Sequence, residues 1–168
     1  SAASDVYKRQ IQAGAELYGF NGIDADIEVI ILMIESLALL GLKGVTLSLG
    51  NTSIFNALCV SANLNARDAI KLRDIFRRKS IPDLNSFLIN NQIQEGDKFK
   101  ALISLDGSEN VLDKAISVFK DIPSALSAID DLKKLYDFFK NHGVNLMFDL
   151  GEVKAYEYHD GIVFAAYH

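Results

Sequence analysis

The chain has 168 residues, of which 49% are hydrophobic and 23% charged, so it can bury a core and is not disordered by composition. Its net charge of -5 disfavours nucleic-acid binding, and its one cysteine, Cys59, excludes an intramolecular disulfide and a multi-cysteine zinc cluster. Because no apolar run reaches the roughly 18 residues of a membrane span, we expect a cytoplasmic protein.

The first ten residues match a laboratory DNA sequence. All positions of residues 1–10 (SAASDVYKRQ) are identical to one translated frame of a widely used transposase-based sequencing adapter. Segments of this origin are excluded from fold reasoning. We therefore expect residues 1–10 to be non-native and Ile11 to be the first natural residue of an internal fragment.

The next part of the chain predicts two strands separated by a helix. Residues 11–20 alternate polar and apolar side chains before a turn signal, which predicts a strand. Apolar residues at helical spacing predict a helix over about 25–42, capped by Asp24 or Asp26. Residues 44–50 alternate again and predict the second strand.

A run of helices follows the second strand. Thr52 or Ser53 is expected to cap the first of them. The stretch from about 66 to 142 has helical periodicity throughout, and we interpret it as an insertion. Within it the helices are predicted at 66–79, from Pro82 onward, and at 96–105, 109–119 and 123–141.

The chain closes with strand patterns. Residues 144–150, 152–158 and 161–167 predict three strands, the last two around a hairpin turn at 158–161. Strands at both ends and helices between them do not form a regular βαβ alternation. The pattern indicates an α+β fold, with an antiparallel sheet, flanking helices and a helical insertion.

Two polar residues on the first strand could bind a ligand. Gln12 and Glu16 are four positions apart, so both side chains project from the same face. An amide and a carboxylate together suit a ligand ammonium group. The alternative is an ordinary solvated strand face.

An aromatic and titratable cluster lies near the predicted hairpin. It contains Tyr156, Tyr158, His159 and Asp160. A histidine with a near-neutral pKa can serve as a base, a switch or a ligand contact. The alternative is a packed aromatic hairpin. The histidines of the chain lack metal-ligand spacing, so no metal site is predicted.

Two further features have structural interpretations. Cys59 lies on the apolar face of a predicted helix and is expected to be a buried, inert thiol. Five basic residues could contact RNA, a nucleotide or an acidic partner, or simply form a solvated helix face: Lys71, Arg73, Arg77, Arg78 and Lys79. The chain has no glycine-rich nucleotide-binding, serine-hydrolase or kinase motif.

Several motifs resemble one family. Residues 12–19 (QAGAELYG) with 24–28 resemble the second motif 2 strand and the following helix of histidyl-tRNA synthetase-like proteins. Residues 148–150 and 156–167 (YEYHDGIVFAAY) resemble their histidine-specific motif. The resemblance extends over essentially all of residues 11–168.

Within that family, other motifs resemble the regulatory subunits of ATP phosphoribosyltransferase. Residues 45–50 (VTLSLG) with 54–58 (IFNAL) are similar to a segment of these subunits, and so are residues 161–167 (GIVFAAY). Asn51 stands where these subunits often have His. The helical stretch with residues 78–82 and 105–108 also fits their insertion region.

The resemblance implies a fold, a domain and a binding site. The fold is a class II aminoacyl-tRNA synthetase-like antiparallel sheet flanked by helices. Residues 11–168 are then an internal fragment of the catalytic-core domain, with the insertion at about 66–142. The residues implied in histidine binding are Gln12, Glu16, Lys154, Tyr158 and His159.

The resemblance also implies a function. It is that of a non-catalytic regulatory subunit, required for the first step of histidine biosynthesis and for feedback inhibition by histidine. Its partner is the short-form catalytic subunit, in a hetero-oligomer, with no cofactor, metal or membrane involved. tRNA is not an expected partner, because Lys154 replaces a synthetase arginine and cannot form a planar bidentate contact. The alternatives are a catalytic-core fragment of histidyl-tRNA synthetase and a stand-alone amino-acid-binding paralogue.

Overall fold

The computed structural model describes Ala15, Leu17, Gly19 and residues 22–153 and 161–168. Over these residues the chain forms seven helices and four strands. In chain order the elements are α1 Ile23–Leu39, β1 Thr46–Asn51, α2 Thr52–Ser61, α3 Ala66–Arg77, α4 Ile81–Asn90, α5 Gly96–Leu102, β2 Asp106–Gly107, α6 Asn110–Val118, α7 Pro123–Phe139, β3 Asn145–Asp149 and β4 Ile162–Tyr167. The predicted strands at 11–20 and 152–158, and the turn between the last two strands, lie largely outside the described residues.

The strands form one sheet in the order β2-β3-β1-β4. β1 pairs antiparallel with β4, from Thr46 opposite Tyr167 to Asn51 opposite Ile162. It pairs parallel with β3, which corrects the expectation of a wholly antiparallel sheet. Parallel neighbours need a long crossover connection, and the helices from α2 to α7 provide one. They carry the chain back to the end of the sheet at which β1 begins, so β3 runs in the same direction as β1.

One face of the sheet forms the core with the helices. Leu47 and Leu49 of β1 and Phe148 of β3 are buried on this face; α7 packs on β1, and its Tyr136 ring lies 6.2 Å from the Phe148 ring. α7 buries a stripe with helical spacing, as predicted from its periodicity. The opposite face is more open, and Met147 on it keeps 46% of its surface exposed. The alternation along the strands therefore separates a core face from an outer face.

The helical segment encloses a cluster of three phenylalanines. Phe55, Phe76 and Phe99 are buried, with ring centroids 5.0 Å apart for the first pair and 6.4 Å for the other two pairs. The rings meet edge to face, which is a favourable arrangement for aromatic pairs. The helices predicted over this segment are all present. The short strand β2, which pairs with the end of β3, was not predicted.

Two predicted helix caps were wrong. α1 begins after Gly22, and no side-chain cap is found there among the described residues; Asp24 and Asp26 lie in its first turn instead. α2 is capped by Asn51, whose side-chain oxygen accepts a hydrogen bond from the Ser53 N–H at 3.0 Å. Asn51 precedes both predicted caps, Thr52 and Ser53, and the Thr52 hydroxyl bonds to Gly161 instead.

No helix in the described part of the chain is long and apolar enough to cross a membrane.

Candidate functional site

A cleft of about 610 Å³ opens at the end of the sheet where β4 begins. It lies between α1, the start of α2, α7 and the first residues of β4. Side chains that can hydrogen-bond or carry charge face it from three of these elements. The lining residues that matter below are Leu17, Asp26, Asn51, Ser124, Asp131 and Gly161.

Asn51 joins two walls of this cleft. Its side chain is 2% exposed, and its amide N–H donates a hydrogen bond to the Ala128 carbonyl oxygen of α7 at 3.2 Å. Its carbonyl oxygen at the same time caps α2 through Ser53. Because a buried amide is stable only when it is paired, these two bonds fix α2 relative to α7.

Thr52 anchors the start of β4. Its hydroxyl oxygen accepts a hydrogen bond from the Gly161 N–H at 3.1 Å and lies 3.2 Å from the Gly161 carbonyl oxygen, to which it also donates. The backbone N–H of Thr52 donates to the same carbonyl at 2.9 Å. Thr52 is fully buried, so a polar group left without a hydrogen-bond partner there would lower the stability of the fold.

Among the described residues, two acidic side chains line the cleft, Asp26 and Asp131. Burial, and after it the charge of Asp131, raise the pKa of Asp26 above its usual range. Asp131 itself pairs with Lys134 Nζ at 3.0 Å. Two carboxylates facing one cleft favour a positively charged ligand group over a negative one.

The residues predicted to bind histidine are not placed by the structure. Gln12, Glu16, Lys154, Tyr158 and His159 all lie outside the described residues. Their described neighbours in the chain line the cleft, however. Leu17 directly follows Glu16, and Gly161 follows the segment with the other three.

A second contact fixes the turn after β3, on the outer side of the sheet. Lys79 Nζ donates to Asp149 Oδ1 at 2.6 Å, and the Gly151 N–H donates to the same oxygen at 3.1 Å. A Cβ atom at Gly151 would lie 2.9 Å from the Leu102 carbonyl oxygen and 3.0 Å from Lys79 Nζ. Glycine is thus needed at position 151 for close packing.

The predicted basic run is not a free cationic patch. Arg78 contacts Asp74 at 3.1 Å and Asp83 at 2.6 Å, and Lys79 contacts Asp149. Arg73 donates to the Asn56 side chain and lies over the Phe55 ring, and Lys71 is 3.5 Å from Asp68. The pairing of Lys71, Arg78 and Lys79 with neighbouring acids favours the solvated helix face, whereas Arg73 packs against neutral partners.

Two further expectations concern metal binding and thiol chemistry. Cys59 is buried, and its desolvation raises the pKa of the thiol to about 12, which agrees with an inert side chain. Within the described residues, no group of three or more His, Cys, Asp or Glu side chains is placed to hold a metal ion.

Comparison with known proteins decides the family. The sequence profile of the histidyl-tRNA synthetase family matches residues 2–168. The chain belongs to this family. Among individual relatives, the ATP phosphoribosyltransferase regulatory subunit of Nitrosococcus oceani is 39% identical over 164 residues, which are 95% of this chain and 41% of that protein. The resemblance to regulatory subunits found in the motifs is therefore confirmed.

Solved structures support the same fold. An ATP phosphoribosyltransferase regulatory subunit/histidyl-tRNA synthetase from Bacillus halodurans aligns with a TM-score of 0.78 and 26% identity, covering 89% of this chain and 40% of that one. A chain of the ATP phosphoribosyl transferase complex from Thermotoga maritima aligns with a TM-score of 0.65 and 19% identity, covering 88% and 52%. These alignments confirm the class II synthetase-like fold. The chain spans about two fifths of the length of the curated relative above.

Proposed function

We propose that this family member is part of a regulatory subunit of ATP phosphoribosyltransferase, that it binds histidine as a feedback effector, and that it catalyses no reaction itself. The relative from Nitrosococcus oceani carries that name at 39% identity. Lys154, at the position of the synthetase arginine, further disfavours histidine activation. The proposed site of action is the cytoplasm.

One structural observation carries the proposed binding site. Leu17 and Gly161 line the same cleft, although about 140 residues separate them in the chain. Glu16 precedes Leu17, and His159 lies two positions before Gly161. A described neighbour of each predicted binding segment therefore lines one cleft, and this supports the proposal of a shared ligand.

The chemistry of these residues suits a free amino acid. The Gln12 amide oxygen and the Glu16 carboxylate can accept hydrogen bonds from the ligand ammonium group. Lys154 can pair with the ligand carboxylate as a point charge. Tyr158 and His159 offer an aromatic surface and hydrogen-bonding atoms for the imidazole ring.

In this proposal the partner carries out the chemistry. The short-form catalytic subunit transfers the phosphoribosyl group of phosphoribosyl pyrophosphate to N1 of ATP and releases pyrophosphate, and the subunit described here senses histidine, the end product of the pathway. Histidine binding in one subunit would change the activity of the other through a coupling free energy between the two sites. The complex would be a hetero-oligomer.

Histidine binding is tested first. The full-length protein from the complete reading frame is titrated with histidine by calorimetry, and Glu16→Ala is compared with Glu28→Ala. Loss of a charged hydrogen-bond partner predicts a roughly 10- to 100-fold weaker affinity for Glu16→Ala. Glu28 is an exposed residue of α1, so its variant should bind like the wild type. An unchanged affinity in Glu16→Ala would remove Glu16 from the site.

The partner role is tested by activity. Full-length protein is mixed with a short-form ATP phosphoribosyltransferase subunit, and phosphoribosyl transfer is measured with and without histidine. We expect activation, and inhibition of that activity by histidine. Charging of histidine tRNA by the protein alone would instead identify it as a synthetase. Histidine binding without activation would identify a stand-alone amino-acid-binding paralogue.

We also propose that residues 1–10 are not native and that residues 11–168 are an internal fragment of the core domain. The identity with the adapter translation supports this proposal. The test is to sequence the source DNA across the codon of Ile11. Unbroken genomic sequence that encodes residues 1–10 would refute it.

A further inference from the structure

The packing of α1 is incomplete within the described part of the chain. Every residue of this helix is apolar except one serine and four acids, which are Ser36, Asp24, Asp26, Glu28 and Glu35. Its only buried residue is Ile30, whereas α7, which has the same length of 17 residues, buries a full stripe. A helix that is apolar on most sides is normally buried on most sides. The structure therefore leaves part of the apolar surface of α1 without a partner.

The exposed side of α1 carries leucines next to glutamates. Leu32 keeps 49% of its surface exposed and Leu39 keeps 89%. Leu32, Glu35 and Leu39 are three or four positions apart, so their side chains lie on one side of the helix, and Glu28 extends that side by one turn. We call these four residues the leucine face. Large apolar side chains grouped in this way on a surface mark an interaction site.

The charges on the leucine face restrict what can cover it. α1 contains no basic residue, and within the described residues neither Glu28 nor Glu35 forms an ion pair. A two-fold interface uses the same patch on both copies, so a second copy of the chain would bring the glutamates of both copies together. Like charges brought together oppose such an interface. The leucine face instead suits apolar side chains that are flanked by lysine or arginine.

The rest of the full-length polypeptide can supply such a segment. The region aligned with the relative from Nitrosococcus oceani is 95% of this chain but 41% of that protein, and this chain covers 40% of the Bacillus halodurans structure. More than half of each of these proteins therefore lies outside the region that corresponds to this chain. A segment of the same polypeptide also loses less freedom on docking than a separate molecule does.

We propose that, in the full-length protein, the leucine face is covered by a segment of the same polypeptide outside residues 11–168. This segment presents apolar side chains flanked by lysine or arginine, and its docking completes the burial of α1. The inference rests on the proposal that residues 11–168 are an internal fragment, and it is independent of histidine binding.

Hydroxyl-radical footprinting of the full-length wild-type protein measures the exposure of these side chains without any substitution. Ile70 of α3 is the matched reference, because it is aliphatic, lies on a helix and keeps 61% of its surface exposed. We expect oxidation of Leu32 and Leu39 to be several-fold slower than oxidation of Ile70. This protection should persist when the protein is diluted, and it should not require the catalytic subunit.

Urea unfolding of full-length variants provides an independent measurement. Leu32→Ala should lower the unfolding midpoint by roughly 1 M, as at a core position, whereas Ile70→Ala should change it by less than roughly 0.3 M. Glu35→Lys tests the charge of the covering segment. On an open face, a lysine toward the C-terminal end of this acidic helix would stabilise it. Beside a basic segment, the same substitution should lower the midpoint.

Four results would overturn the inference. They are oxidation of Leu32 and Leu39 as fast as that of Ile70, protection that disappears on dilution, protection that appears only with the catalytic subunit, and a raised midpoint for Glu35→Lys. The second result would identify a second copy as the covering molecule, and the third would identify the catalytic subunit. A reading frame that encodes nothing beyond this chain would refute the fragment proposal as well, and sequencing shows this before any protein is made.

Discussion

Gly50→Ala tests how closely the turn after β3 packs on β1. A Cβ atom at Gly50 would lie 2.7 Å from the Asp149 carbonyl oxygen and 3.0 Å from Val163 Cγ2, whereas ordinary contact begins at 3.4 Å. The carbonyl would have to move by about 0.7 Å, and it also accepts the Glu152 N–H in the turn. Overpacking of this kind costs about 1–3 kcal/mol. Reduced conformational freedom of the unfolded alanine variant offsets about 0.4–1 kcal/mol of this cost, so the central values leave a net loss of about 1.3 kcal/mol.

Urea unfolding of the full-length protein measures this loss. We expect the midpoint for Gly50→Ala to fall by roughly 0.5–1 M. The matched control is Gly96→Ala in α5, where a Cβ would lie 3.8 Å from Leu88 Cδ1 and fits without movement. That variant should be neutral, or more stable by up to about 1 kcal/mol through helix propensity. Equal stability of Gly50→Ala and the wild type would refute the close approach of the turn.

Three further outcomes follow from burial. Asp26→Asn should raise the free energy of unfolding near neutral pH, because the raised pKa of Asp26 means that its ionised form destabilises the fold. This gain should disappear as the pH falls through that pKa, since Asp26 is then protonated in the wild type as well. Urea titrations at several pH values measure the gain, and a gain that grew in acid would contradict the prediction. Cys59, with a pKa of about 12, should resist alkylation near neutral pH until the protein is unfolded. Rapid alkylation of Cys59 in the folded protein would contradict the burial of its thiol. Phe76→Ala should cost about 3–5 kcal/mol, and a loss under 1 kcal/mol in urea unfolding would refute its place in the phenylalanine cluster.

Local patterns were sufficient to predict the helices. A helix is predicted at 123–141, and α7 is observed at Pro123–Phe139. The prediction succeeds because apolar residues three and four positions apart form one apolar face of a helix, whichever element that face packs against. The strand at 144–150 was likewise observed at Asn145–Asp149. The predicted caps failed at α1 and α2, since several neighbouring polar residues could have satisfied the same N–H groups and only packing selects among them.

The site could be predicted only in part. The five predicted histidine-binding residues remain a prediction, as they lie outside the described residues. Asn51 was noted as a departure from the family pattern, but its bond to Ala128 was not foreseen. Thr52 was interpreted as a helix cap, which is the ordinary use of threonine at that place, and its contact with Gly161 has no local signal.

The amino-acid sequence by itself determined the helices, most of the strands and the family, because apolar periodicity and motif residues act over a few positions of the chain. Only the tertiary structure decided the parallel pairing of β1 with β3, the contact of Thr52 with Gly161 across 109 residues and that of Lys79 with Asp149 across 70. Such contacts depend on which distant segments meet once the chain closes on its core. The entropy cost of closing the intervening loop changes only slowly with loop length. The loop sequence therefore gives little information about which distant residues will come into contact.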